Sequence, residues 1–151
     1  MIEEEEQRGF GERPVTGFEP SLESRVAFHR FALVVYDFRC AVSGLQFPAT
    51  EGALHDRLEV VPIHPREAEG PLEISNVLVL ESRIAHAFAK GWICVDDGYR
   101  VVIADRAELG DELSGQVIER RALFLPSDPL FRPASRHFQF HRMVVARYSR
   151  G

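Results

Sequence analysis

An α+β domain is the fold class this sequence predicts. Three observations carry it: an amphipathic helical face beginning just after residue 20, a β-branched apolar run at Leu58–Ile63, and a hairpin signal, Asp96-Asp97-Gly98, between two further apolar runs. At 151 residues and 45% hydrophobic content, the chain has the length of one domain and enough apolar surface to bury a core. The expected division is an acidic flexible arm over 1–20 and one domain over 21–151 that ends in a basic tail.

Taken in order, residues 1–19 mix charge with Gly9, Gly11, Pro14 and Gly17, a composition that disfavours packed structure. Between Ser21 and Asp37, Phe28, Phe31, Ala32 and Val35 recur at helical spacing, so a helix is predicted there. Cys40 to Gly44 is a short apolar stretch turning at Ser43-Gly44. Leu58–Ile63 reads as a strand, with Pro62 arguing for an edge position or a bulge. Pro65–Ser75 is a polar loop. Leu80, Ile84 and Phe88, spaced by four, predict a helix over Leu78–Lys90 closed by Gly91. Trp92–Val95 and Tyr99–Ile103 form the hairpin. Gln116–Leu125 is read as another strand pair, and Ser135–Arg147 as a last helix.

Charge is uneven along the chain. Residues 1–24 hold seven acids against Arg8 and Arg13, a net of −5, which leaves the other 127 residues balanced. No acid follows Asp128, whereas Arg132, Arg136, Arg142, Arg147 and Arg150 do, among His137 and His141. Such a tail suits phosphate contacts, in particular through Arg132, Arg136 and Arg142; a solvated C-terminal face explains it equally well. No apolar run is long enough to span a membrane, and Met1-Ile2-Glu3-Glu4-Glu5-Glu6 is the opposite of a cationic leader. Two cysteines build neither a disulfide framework nor a four-cysteine zinc site, so a cytoplasmic location is expected.

His64, Asn76 and His86 are spread over a strand, loop and helix. Each has an ordinary reading: His64 as a structural or exposed histidine, Asn76 as a cap or turn residue, His86 as a structural helix residue. His55-Asp56 reads first as a solvated loop, Glu59 as a surface strand position and Cys40 as a small core residue. The alternation His137-Phe138-Gln139-Phe140-His141 reads first as an amphipathic terminal element.

Four colinear stretches carry something more specific. They are Tyr36-Asp37-Phe38-Arg39-Cys40-Ala41-Val42-Ser43-Gly44, Leu58-Glu59-Val60-Val61-Pro62-Ile63-His64-Pro65, Gly70-Pro71-Leu72-Glu73-Ile74-Ser75-Asn76-Val77-Leu78-Val79-Leu80, and His86-Ala87-Phe88-Ala89-Lys90-Gly91. With Leu125-Pro126, Arg132-Pro133 and His141 after them, they resemble the HNH domain of bacterial restriction-endonuclease-like proteins over roughly residues 24–142. The resemblance implies a ββα-metal core with an N-terminal helix and additional C-terminal strands. It also implies DNA as partner and phosphodiester hydrolysis with a divalent metal (Mg, Mn, Ni or Zn), a homodimer being one compatible arrangement. In such domains a strand histidine is the general base, the asparagine orients it, and a helix histidine holds the metal. By resemblance these roles fall to His64, Asn76 and His86.

The match departs at two of three positions. Aligned without gaps, Asn76 is kept, the first histidine falls on Pro62 and the last on Ala85; Val77 and Ala89 replace a glycine and an aspartate. A two-residue shift along a strand moves a side chain about 6–7 Å, and a one-residue shift in a helix turns it by about 100°. A bulge at Pro62 and a slip or π-bulge near Ala85 would be needed to bring His64 and His86 into place. Three readings therefore stand: an HNH endonuclease, a catalytically inactive HNH-fold DNA-binding or regulatory module, and an interaction domain whose acidic arm meets a basic partner.

Overall fold

The computed structural model describes residues 21–148; the acidic arm expected over 1–20 lies outside the described residues. Helix α1 (Leu22–Val35) starts where Ser21 caps it, its hydroxyl accepting the Ser24 N–H at 3.0 Å. Ala32 and Leu33 are buried, and the chain leaves the helix through Asp37 and Phe38, both at positive φ. The Cys40–Gly44 turn follows as expected, and its Ala41 N–H reaches across to the Val79 carbonyl at 2.8 Å.

Strand β1 (Leu58–Pro62) pairs antiparallel with β2 (Val77–Glu81), from Leu58↔Glu81 to Pro62↔Val77. Helix α2 (Ser82–Ala89) follows β2 directly and packs back on both strands. Strand, loop, strand, helix is therefore the order at the centre of the domain. The sequence reading placed a helix over Leu78–Lys90, and this is corrected: Val77–Glu81 is a strand and only Ser82–Ala89 is helical. The reason is burial. Every residue from Val77 to Glu81 is buried, so β2 shows no polar alternation, and its leucine spacing runs on into the true helix. Glu81 marks the boundary, its carboxylate accepting the Arg83 N–H at 3.0 Å.

Strands β3 (Ile93–Val95) and β4 (Val101–Ile103) form the expected hairpin, with Asp96 Oδ1 accepting N–H groups from Gly98 and Arg100. A short helix α3 (Arg106–Leu109) follows. The strand pair expected over Gln116–Leu125 is absent among the described residues. Turns at Leu113–Val117 and one isolated bridge, Arg100↔Ala122, take its place, and Arg121 ties the segment down by donating to the Val42, Ser43 and Gln116 carbonyls. The last helix is α4 (Ser135–Phe140), which passes into a π-helical turn over His141–Val145.

The core gathers Leu33, Tyr36, Ile63, Val77–Leu80, Ile84, Phe88, Ile93 and Phe138 into one cluster. His141 joins it, stacked on Phe88 at 3.8 Å, and thereby docks the terminal helix against α2. Gly91 permits this approach: its φ is +79°, and a Cβ there would lie 2.6 Å from the Val145 carbonyl oxygen. The two small sheets with surrounding helices are the α+β class the sequence predicts.

Candidate functional site

The loop between β1 and β2 is built around one amide. Asn76 is fully buried; its Oδ1 accepts the His64 N–H at 2.9 Å, and its Nδ2 donates to the His64 carbonyl at 3.0 Å and the Pro71 carbonyl at 2.9 Å. Both polar groups of the His64 backbone are therefore held by a single side chain, and the donor and acceptor ends of that amide are fixed by what they face. Gly70 presses on the same point, since a Cβ there would lie 1.8 Å from the His64 carbonyl oxygen.

The His64 ring is fixed as well. It stacks on Phe140 of α4 at 3.7 Å with an interplanar angle of 7°, and its Nε2 lies 2.8 Å from the Ala68 carbonyl. A carbonyl only accepts, so in the neutral ring Nε2 carries the proton and Nδ1 keeps its lone pair.

Residues of α4 and of the 73–75 turn stand beside it, and of these only Arg136 was singled out by the sequence, as a phosphate contact. His137 of α4 has its ring 6.1 Å from that of His64. Its side chain is 6% exposed, and its Nε2, lacking a hydrogen-bond partner, sits 3.9 Å from Glu73 Oε2. The same carboxylate oxygen lies 3.8 Å from Arg136 and accepts from the Ser75 hydroxyl at 3.1 Å. Burial, then the Arg136 charge, push the His137 pKa below the ordinary imidazole value; Glu73 opposes this and His64 adds to it. The two segments are held together by the Ala134 N–H donating to the Ser75 carbonyl at 2.9 Å. The alternating imidazoles and aromatics at 137–141 were the visible signal for half of this cluster.

The motif positions themselves are occupied differently. Pro62 pairs in unbroken register with Val77, so β1 carries no bulge that would slide His64 toward it. It lines a cleft of about 80 Å³ with Val60, Leu72 and His29 of α1, whose Nδ1 lies 2.7 Å from the Arg25 carbonyl. Ala85 is buried in an unbroken α-helix, and the π turn occurs at 141–145 instead. His86 faces outward, edge-on to Trp92 at 5.3 Å, in a cleft with Glu108 and Glu112. His64 and His86 share no contact and no cleft among the described residues, and no group of three His, Cys, Asp or Glu there could hold a metal ion.

Two arginines of the basic tail are committed to the fold. Arg132 donates to the Pro126 and Ser127 carbonyls, and Arg142 to the Val95 carbonyl and, at 2.7 Å, to Asp97. The Arg136 side chain remains 69% exposed. His55 locks a loop, bonded to the Pro48 carbonyl and to the N–H groups of Arg57 and Leu58, while Asp56 points to solvent. Cys40 is buried and Glu59 is exposed on β1.

No family model matches the chain, and no curated protein sequence matches it. Among solved structures, a modification-dependent TagI restriction endonuclease superposes with a TM-score of 0.52 and 24% identity, over 74% of this chain and 35% of its own. The chain thus spans about a third of that enzyme's length, and the likeness is one of fold.

Proposed function

We propose that this chain, which shares its fold with part of a restriction endonuclease, is an HNH-type DNA-binding or regulatory module whose hydrolytic centre is not assembled. One observation carries the reading: Pro62 and Ala85 occupy the motif positions in regular register and regular helix, while His86 is turned away from the loop that holds His64. Asn76 still performs the loop-holding part of the motif. A divalent metal (Mg, Mn, Ni or Zn) does not fit the present donors, because His64 and His86 do not converge. DNA is the proposed partner on the strength of the shared fold and of Arg136, whose guanidinium is exposed while those of Arg132 and Arg142 are taken up by backbone carbonyls.

A gel-shift titration of a short DNA duplex at rising salt tests this. Binding should weaken steeply with salt, and Arg136→Ala should weaken it further and flatten the slope by about one phosphate contact. Absent or salt-independent binding would remove the reading.

A second reading, residual hydrolysis, is favoured by the His64 ring alone. Its backbone is pinned, its plane is clamped by Phe140, and its Nδ1 retains a lone pair suited to a general base, with His137 and Glu73 behind it. Nicking of supercoiled plasmid that disappears in His64→Ala would establish it.

A further inference from the structure

The outward turn of His86 leaves it in a cleft that DNA chemistry does not explain. This cleft, between α2 and the α3 region, encloses about 380 Å³, within the range of sites for a small ligand or a single side chain. Its lining combines three chemistries. Leu109 and Leu113, both buried, supply an apolar floor. Trp92 and His86 form an aromatic wall, their rings at 79°. Glu108 and Glu112 stand exposed at the rim, and neither makes an ion pair among the described residues. Arg83, the cation of the lining, is already engaged by Glu81 at 3.2 Å and by Gln116.

We propose that this cleft receives a lysine or arginine side chain from a basic segment of a protein partner. Such a side chain matches every part of the lining at once: its methylene stem suits the leucine floor, its cationic head suits an indole face, and the two carboxylates neutralise its charge. A phosphate would meet two uncompensated carboxylates and no uncommitted guanidinium. A neutral apolar side chain would bury the floor but leave the rim charges unused. The inference is independent of the DNA reading, because neither Pro62, Ala85 and Arg136 nor the loop residues His64 and Asn76 line this cleft.

Trp92 is the chain's one tryptophan, so its fluorescence reports on this cleft alone. The test titrates the full chain with acetyl-arginine amide and acetyl-lysine amide, using acetyl-citrulline amide as the neutral isostere. The cationic probes should give a saturable change in the millimolar range and the citrulline probe none. Binding should fall about tenfold in the double variant Glu108→Gln, Glu112→Gln, in line with loss of charged partners at a partly desolvated site. Both glutamates are exposed, so an unchanged melting temperature verifies that the variant is folded. Equal response to citrulline, equal affinity in the double variant, no saturation with either cationic probe, or the same fluorescence change on titration with inorganic phosphate would each overturn the proposal.

Discussion

Acid should release the terminal helix through His141. This ring is 1% exposed and stacked on Phe88; its Nε2 faces the Phe88 carbonyl at 2.8 Å, and its Nδ1 has no partner. Protonation would place a second N–H, unsatisfied, inside the core. Burial accordingly pushes its pKa down from 6.5 to about 4, the Phe88 carbonyl opposing and Arg142 adding to the lowering. The unfolded chain takes up the proton near 6.5 and the folded chain only near 4. Stability from this group is therefore complete above pH 6.5 and is lost as pH falls toward 4. At roughly 1.4 kcal/mol per pH unit, the loss is about 3 kcal/mol. That is a large share of a typical domain's stability of about 5–15 kcal/mol. Urea unfolding, followed by circular dichroism at pH 7.5, 6.5, 5.5 and 4.5, measures it against His141→Gln, which keeps a donor and cannot charge. The carboxylates titrate alike in both proteins, so the difference between the two pH profiles isolates the ring. If His141→Gln loses as much stability on acidification as the parent, the burial argument is wrong.

Other outcomes follow from the same geometry. Asn76→Ala removes three hydrogen bonds around a fully buried amide and should cost about 3 kcal/mol by thermal unfolding; a cost below about 1 kcal/mol would show the loop to be held otherwise. Gly70→Ala forces a methyl onto the His64 carbonyl and should cost at least about 2 kcal/mol, whereas a variant as stable as the parent would mean that the loop yields freely. Cys94, whose thiol burial pushes up to about 11, should resist iodoacetamide at pH 7.5 until urea unfolds the chain; rapid labelling of the native protein would contradict its placement in the core.

Much of the fold was legible because its signals are local. Ser21 and the apolar spacing from Phe28 to Val35 announce α1, and Asp96-Asp97-Gly98 announces the β3–β4 turn. Strand β2 was not legible from its own pattern, since a strand buried on both faces has no alternation to display. The 116–125 segment looked strand-like from its composition, but the Arg121 side chain, satisfying three carbonyls, stands in for a strand ladder there. The tie between Asn76 and His64 was legible as a resemblance in sequence order. The pairing of Glu73 with His137 was not, because it depends on where the terminal helix docks, and that is set by Phe138 and His141 in the core.

Where the resemblance expects two histidines, Pro62 and Ala85 are packed in regular strand and helix, and the His64 and His86 rings do not converge. Supercoiled plasmid incubated with pure protein and Mg²⁺, Mn²⁺, Ni²⁺ or Zn²⁺ tests it most directly. The plasmid is expected to remain supercoiled with every metal. Metal-dependent nicking that is lost in both His64→Ala and His86→Ala would show that the two rings do act on one phosphate, contrary to the geometry.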